Sequence, residues 1–528
     1  MLNQCIKSYF QVNKAQMNTI RRLTSVSKNK KKDDWISVVG LEVHAQISSN
    51  TKLFSGSENK FAASVNQNVS LFDSAIPGTL PVLNKYCVES ALRTAIALNC
   101  KINNISMFDR KHYFYADLPA GYQITQQRKA IANHGKITFP VYVPGVVKKP
   151  YEKTVRLFQL QLEQDSGKSL HDTEAKRSLV DLNRAGIPLM ELVFEPDLSD
   201  GEEAASLVKE LIITLKRLGS CNCRMEEGAL RVDANISIHR AGEPLGVRTE
   251  IKNIGSVRNV AQAIAYEIER QKCVKTNGGE IINETRSWNA LTRKTITMRD
   301  KEVQQDYRFM PEPNLPPLHI DMEEDDIDRG ILKYNKLKTT IPELPSKTRE
   351  ILVNEIGLSK EIAIILVNEP FLLNYFNDII KMQKSVPPKI IANFLINELM
   401  AACNKININI EICKIKVGQL SNILALLHNG FINLTTVKII LDDLNEDPNQ
   451  DVMNIIKNKD LQQISDAKEI EKICVDAIGA NKKAVEQFKN GKAKAIFAIA
   501  GHISKVTNQK ANMNLVMKKL EELLKQNK

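Results

Sequence analysis

No apolar run in the 528 residues approaches the ~20 needed for a membrane-spanning helix. The nine cysteines, at 5, 87, 100, 221, 223, 273, 403, 413 and 474, form no framework of paired spacings. An odd, dispersed set belongs with free thiols in a reducing compartment and excludes a disulfide scaffold. Cys221 and Cys223 have no further candidate ligands at zinc-site spacing. Neither HExxH nor a serine-rich amidase motif nor a Cys–His pairing stands out, so the chain shows no self-evident nucleophile. A fragment of a P-loop occurs in QDSGKS, but the required first glycine falls on Leu162, so the phosphate-cradling fingerprint fails. No repeat of fixed period is present.

What is there is a globular composition, 43% hydrophobic and 25% charged, with room for roughly three or four domains. The net charge of +12 is unevenly spread. Residues 1–32 hold eight Lys or Arg and no acidic residue, the composition of a mitochondrial transit peptide. Residues 467–528 hold thirteen Lys against six acidic groups, which leaves the span 33–466 at −3. An electrostatic grip on nucleic acid is therefore expected first at the C-terminal end.

The patterning predicts an α+β fold: a mixed-sheet cradle domain over 33–323, a helical domain over 324–385 and an all-α tail over 386–528. Strand-like runs include LFDSAIPGTLPVLN, VRLFQLQLEQD, PLMELVFEP and LRVDANISIHR, and VRNVAQAIAYEIERQ has helical spacing. The prolines of FMPEPNLPPLHI forbid continued regular structure. From ELPSKTREILVNEIGLSKEIAIILVNEPFLLNYFNDII onward the apolar residues fall at helical spacing. VPPKI at 386–390 reads as a hinge.

The strand VVGLEVHAQIS alternates strictly, so Glu42 and His44 share its polar face. Gln159, Gln161, Glu163 and Asp165 share another such face, as do Glu191, Val193 and Glu195, and Arg231, Asp233 and Asn235. If these faces line one concave sheet, they form an oxygen-rich cavity suited to Mg²⁺. Spacing alone fits solvated sheet faces equally, and both readings stay open here. Gly167 and Lys168 can still serve a phosphate as a turn and a point charge.

Long segments, in order, carry a resemblance. VVGLEVHAQI, SAIPGTLPVLN, FDRKHYFYADLPAGYQIT, LEQDSGKSLHD, DLNRAGIPLMELVFEPDL, RMEEGALRVDANISI, TEIKNIGSVRNV and TMRDKEVQQDYRFMPEPNLPPL resemble the B subunits of glutamyl/aspartyl-tRNA amidotransferases. KAIFAIAGHISKVTNQKANMNLVMKKLEELL is similar to the tail domain of that family. With the basic leader, the fit is to the mitochondrial form, which implies the mitochondrial matrix.

The resemblance implies a ligase that forms a carbon–nitrogen bond with glutamine as amido donor. ATP and Mg²⁺ serve to phosphorylate the side-chain carboxylate of Glu-tRNA(Gln), and ammonia released by a partner amidase A subunit displaces the phosphate. A small C subunit completes a heterotrimer. By the same resemblance, Glu42, His44 and Glu191 are catalytic, and Glu42, His44, Glu163 and Glu191 hold the metal. Lys168, Asn183, Arg184, Arg231, Asp233 and Lys252 bind the nucleotide. The chemistry is consistent: a carboxylate attacks a γ-phosphate against like charge, so catalysis must come from cations and positioning, in a site shielded from water. The missing nucleophile also fits, because glutamine hydrolysis would belong to another chain.

The sequence departs from the family at three places. Gln164 stands where many relatives have a second glutamate, which can weaken one metal ligand. NVSLFDSAIPG lacks the Cys-x-x-Cys of some relatives, so no zinc is expected. Ala120 stands where a lysine often precedes GYQI. Two competing classes are a catalytically silent tRNA-binding scaffold and a metal-dependent hydrolase. ATP consumption that depends on Glu-tRNA(Gln) separates all three.

Overall fold

The computed structural model describes residues 35–298, 307–323 and 332–526. The basic leader expected as a transit peptide lies outside the described residues. The chain divides into two compact units. One comprises Lys153–Pro342 with the chain before Pro140, and the other runs from Glu343 onward together with Pro140–Glu152.

The first unit is strand-rich. Its elements in chain order begin with β1 (Trp35–Gln46), α1 (Lys85–Ala97), β2 (Lys101–Ile102), β3 (Ile105–His112), β4 (Tyr122–Lys129) and β5 (Ala132–Val141). There follow β6 (Tyr151–Gln164), β7 (Lys168–Asp172), β8 (Arg177–Asp181), β9 (Pro188–Phe194), α2 (Gly201–Leu218) and β10 (Leu230–Arg240). The unit continues with β11 (Thr249–Ile254), α3 (Val257–Thr276), β12 (Thr285–Asn289) and β13 (Lys294–Thr297). Short strands β14 (Met310–Pro311), β15 (Leu318–Asp321) and β16 (Leu332–Lys333) close the series.

Nine strands form one sheet in the order β13-β12-β11-β10-β1-β9-β6-β5-β2, with β1 near its centre. Along β1, Val39, Leu41, Val43 and Ala45 are buried while Glu42, His44 and Gln46 are partly open, as period-two alternation requires. α3 packs on β10 and α2 packs on α3, so these helices cover the apolar face. α2 starts where Asp200 Oδ1 accepts from the amides of Glu202 and Glu203, both at 2.9 Å. It ends at Gly219, whose φ of 67° suits a residue without Cβ.

A second sheet, β14-β3-β15-β16 with β4 on β3, walls the polar side of β6. Leu162 N donates to Gln126 Oε1 (3.0 Å) and Gln161 Nε2 to Thr125 Oγ1 (3.2 Å). Two expectations need correction. LFDSAIPGTLPVLN forms turns and irregular chain, because Pro77 and Pro81 remove ladder donors and Gly78 sits at φ 90°. FMPEPNLPPLHI, expected to lack regular structure, contributes β14 and β15, whose prolines stay at or outside the strand ends.

The second unit is helical from Pro345 to Gln526. One apolar cluster runs from Leu352 to Ile456 and so crosses position 386, because Pro388 sits in the first turn of a helix where its missing N–H costs nothing. A smaller cluster, Ile470 to Leu524, joins the last helices. Among the described residues, no helix is long and apolar enough to cross a membrane.

Candidate active site

Strand register assembles the site. On β1, Glu42 lies opposite Asp233 of β10, and His44 lies between Arg231 of β10 and Glu191 of β9. On β6, Gln161 lies opposite Glu191. Residues remote in sequence thus share one polar face.

His44 Nε2 lies 3.7 Å from Glu42 Oε1 and 3.9 Å from Glu191 Oε1. One ligand atom from each of Glu42, His44 and Glu191 falls within 4.8 Å of the others, so a single cation can be shared. Glu163 stands beside this trio. Its Oε1 accepts from Gln123 Nε2 at 2.5 Å, while its Oε2 is buried without a hydrogen-bond partner. A buried carboxylate oxygen with nothing to satisfy it is costly unless a ligand completes it. Glu163, expected as a fourth ligand, is not among the atoms that fall within 4.8 Å; of the trio, the two carboxylates suit Mg²⁺ with waters and phosphate oxygens filling the remaining positions, and His44 adds a nitrogen donor.

Electrostatics follow from crowding. Burial, then the neighbouring Glu163 and Glu42 charges and the Glu42 hydrogen bond, push the Glu191 carboxyl well above the usual range. Burial also presses on Glu42, but the Glu191 hydrogen bond and the charges of His44, Lys111 and Lys252 outweigh it and hold Glu42 below that range. Lys111 is held strongly protonated, first by Glu163, against burial, and then by Glu191. Gln161 Nε2 donates to Glu191 Oε2 and fixes that carboxyl. Burial raises Asp233, against His44, while Asn253 N donates to it at 3.0 Å.

Comparison with known proteins decides the family. Residues 37–325 match the family described as the GatB/GatE catalytic domain, and 374–524 match the GatB domain. A Drosophila melanogaster protein, named as the B subunit of the mitochondrial glutamyl-tRNA(Gln) amidotransferase, is 60% identical, covering 96% of this chain and 98% of its own. The chain belongs to the GatB family. The human GatB protein of the same name is 46% identical, over 95% of this chain and 90% of its own. A Rickettsia typhi GatB protein, named as the B subunit of an aspartyl/glutamyl-tRNA(Asn/Gln) amidotransferase, is 45% identical over 93% and 98%. GatB proteins are subunits of glutamine-dependent, tRNA-dependent amidotransferases, so this chain works with partner subunits.

Within this GatB chain the expected nucleotide-binding residues fall into three groups. Arg231 reaches the site but its Nη2 is held by Asp165 Oδ2 at 2.8 Å, leaving Nε buried and unpaired. Lys252 and Asp233 line the β10–β11 side, with Lys252 Nζ 3.7 Å from Glu250 Oε2. Asn183, Arg184 and Lys168 lie around the β6–β8 turns. Asn183 Nδ2 donates to Ser64 O (2.7 Å) and its Oδ1 accepts from Asn68 N (2.8 Å), so it ties down the loop before α1. Arg184 Nε donates to Ser166 O at 3.0 Å, and Lys168 is exposed on the two-stranded β7–β8 hairpin.

Two groups escaped the sequence reading. Lys111, the cation beside Glu163 and Glu191, sits on β3 of the other sheet, which no local period links to β1. Lys52 and Asp73 form a fully buried pair at 3.0 Å, and Asp73 also accepts from Ser55 Oγ (3.1 Å) and Ser70 N (2.9 Å). This pair backs a cavity of about 330 Å³ lined by Asp73, Gly78, Ala120, Tyr122, Asp165 and Gly186. The sequence signal for Lys52 was slight: a lysine followed by the apolar Leu53 and Phe54.

Proposed function

We propose that the polar face of β1, β6, β9 and β10 is where ATP phosphorylates the side-chain carboxylate of glutamate attached to tRNA(Gln). A carboxylate oxygen of that glutamate attacks the γ-phosphorus, the bond to the β-phosphate oxygen breaks, and ADP leaves. Ammonia then attacks the acyl carbon and phosphate departs, giving Gln-tRNA(Gln). Mg²⁺, when bound, supplies charge that lets two anions meet. Glu42, His44 and Glu191 are the residues to hold it, with the unpaired Glu163 oxygen as a further ligand.

Lys111 offsets the carboxylate charge from the opposite wall and is placed to receive phosphate or substrate carboxylate oxygens. Arg231 Nε and Lys252 add donors for phosphate on the β10–β11 side. Gln161 and Gln123 orient Glu191 and Glu163. The two sheets bury this surface and limit the water that would hydrolyse an acyl phosphate. Ammonia comes from glutamine through an amidase A subunit, and a small C subunit joins the two. The relatives' mitochondrial names support a mitochondrial location, and we place the work in the matrix with the basic leader removed.

The observation that carries this reading is the trio of ligand atoms within 4.8 Å beside an unsatisfied buried carboxylate oxygen. The test is γ-phosphate release by the complete complex. Release that requires Mg²⁺ and Glu-tRNA(Gln), and is absent with uncharged tRNA, is expected. ATP hydrolysis indifferent to the aminoacyl group, or none, contradicts the reading.

A further inference from the structure

A ladder of aromatic rings leads out of the site and has no part in the chemistry above. Tyr113 and Tyr115 pack edge to face with centroids 5.6 Å apart. Tyr113 meets Tyr307 at 6.1 Å and Tyr307 meets Phe309 at 6.2 Å, again edge to face. The inner end is bonded into the catalytic wall. The Tyr113 hydroxyl donates to Gln123 Oε1 at 3.0 Å, and the same Gln123 donates to Glu163. Lys111 Nζ lies 5.0 Å from the Tyr307 centroid. The outer rings are open to solvent, Tyr115 50% and Phe309 36% exposed, and Phe114, between Tyr113 and Tyr115 in sequence but outside these ring contacts, is 86% exposed.

The local sequence supports this edge. Gly121 sits at φ 72°, and a Cβ there would come within 3.0 Å of Phe114 Cε1. Glycine therefore lets the Phe114 ring lie over the backbone. Exposed and half-buried rings grouped beside one catalytic wall are an unusual cost for a surface, and they need a partner with flat faces of its own.

We infer that this ladder is a stacking platform for the unpaired nucleotides at the 3′ end of the aminoacyl-tRNA. The inference rests on the functional reading above. The reacting glutamate is esterified to the terminal ribose, and its side chain is only a few bonds long. A carboxylate delivered to Glu163 and Lys111 therefore leaves the last nucleotides at the mouth of the site, where the ladder stands. Each edge-to-face contact covers one face of one ring only, and every base offers a π-face, so stacking on the solvent-exposed rings suits a single-stranded end. The charge agrees with nucleic acid: the exposed Arg308 stands on this edge, while Asp117 on the neighbouring loop is engaged by Ser169 Oγ at 3.1 Å. A protein surface is the other class of partner that covers exposed rings.

The test uses the purified amidotransferase complex and Glu-tRNA(Gln) carrying 2-aminopurine in place of the terminal adenine. Binding to the wild-type complex should quench the 2-aminopurine. Phe114→Ala with Tyr115→Ala should abolish that quenching and raise KM for Glu-tRNA(Gln) about tenfold, the effect falling on KM rather than kcat. Phe114→Trp should restore both. Unmoved KM and unmoved quenching in the double variant, with wild-type turnover intact, overturn the stacking assignment alone. A double variant that loses its partner subunits makes the ladder a protein interface and also overturns it. A wild-type complex that does not amidate Glu-tRNA(Gln) overturns the functional reading and the platform with it.

Discussion

Glu42 and Glu191 stand on adjacent strands with ligand atoms within 4.8 Å of one another, and their carboxyls are pushed in opposite directions. Two carboxyls this close cannot both ionise cheaply, so the proton rests on the more buried Glu191. His44 joins them from the same strand as Glu42, 3.9 Å from Glu191.

Metal binding should therefore release a proton. The raised carboxyl of Glu191 stabilises the metal-free protein below the ordinary carboxylate value of 4.5, and that contribution fades as pH rises through the raised value. A divalent cation takes the proton's place. The melting temperature gained with Mg²⁺ should be larger at about pH 8 than at about pH 6, and Glu191→Gln should flatten the difference. Equal Mg²⁺ shifts at both pH values in the wild type would contradict this.

The glutamines that orient the carboxylates should matter without touching the metal. Gln161→Leu removes the donor to Glu191, and Gln123→Leu removes the donor to Glu163. Loss of such outer partners typically weakens metal affinity 10- to 100-fold. A Mg²⁺ titration of γ-phosphate release should show half-saturation shifted by roughly that factor, with activity recovering at high Mg²⁺. Half-saturation left at the wild-type concentration would remove them from this role.

Lys52→Ala should unfold the cradle more readily by about 3–5 kcal/mol, because it strands Asp73 as an unpaired buried charge. Chemical denaturation measures this. Pairing the change with Asp73→Asn should recover part of the loss, since the stranded charge is then gone.

The helical end should bind tRNA phosphates. Residues 467–528 carry the +7 surplus, and Lys482, Lys483, Lys492 and Lys494 are exposed there. Replacing these four with Gln should weaken tRNA binding and flatten its salt dependence by roughly 0.9 in log–log slope for each phosphate no longer engaged. An unchanged slope would assign the tail to another partner.

Much of this was legible before any coordinates. β1, β6, β9, β10 and α3 stand where period and β-branched content placed them, because each has one face buried and one polar. Glu42, His44 and Glu191 share a site because strand register carries a local pattern across the sheet. What period could not show is which strands are neighbours, so Lys111, on a different sheet, stayed invisible beside Glu163. Arg184 and Asn183 illustrate the opposite difficulty. A polar residue next to a turn reads the same whether it serves a ligand or the loop, and here both hold backbone groups. Apolar residues at helical spacing placed the helical region, but its core is continuous across position 386, since a helix-starting proline mimics a hinge in sequence.

The central claim is that the Glu42–His44–Glu191 trio supports phosphorylation of tRNA-bound glutamate. Its most direct measurement is γ-phosphate release by complexes carrying Glu42→Gln or His44→Ala, each first shown to be folded and assembled. Losing one cation ligand removes several kcal/mol of transition-state stabilisation, so release dependent on Glu-tRNA(Gln) should fall about a thousandfold. Glutamine hydrolysis by the partner amidase should persist. Wild-type rates of release from well-folded variants would contradict the account.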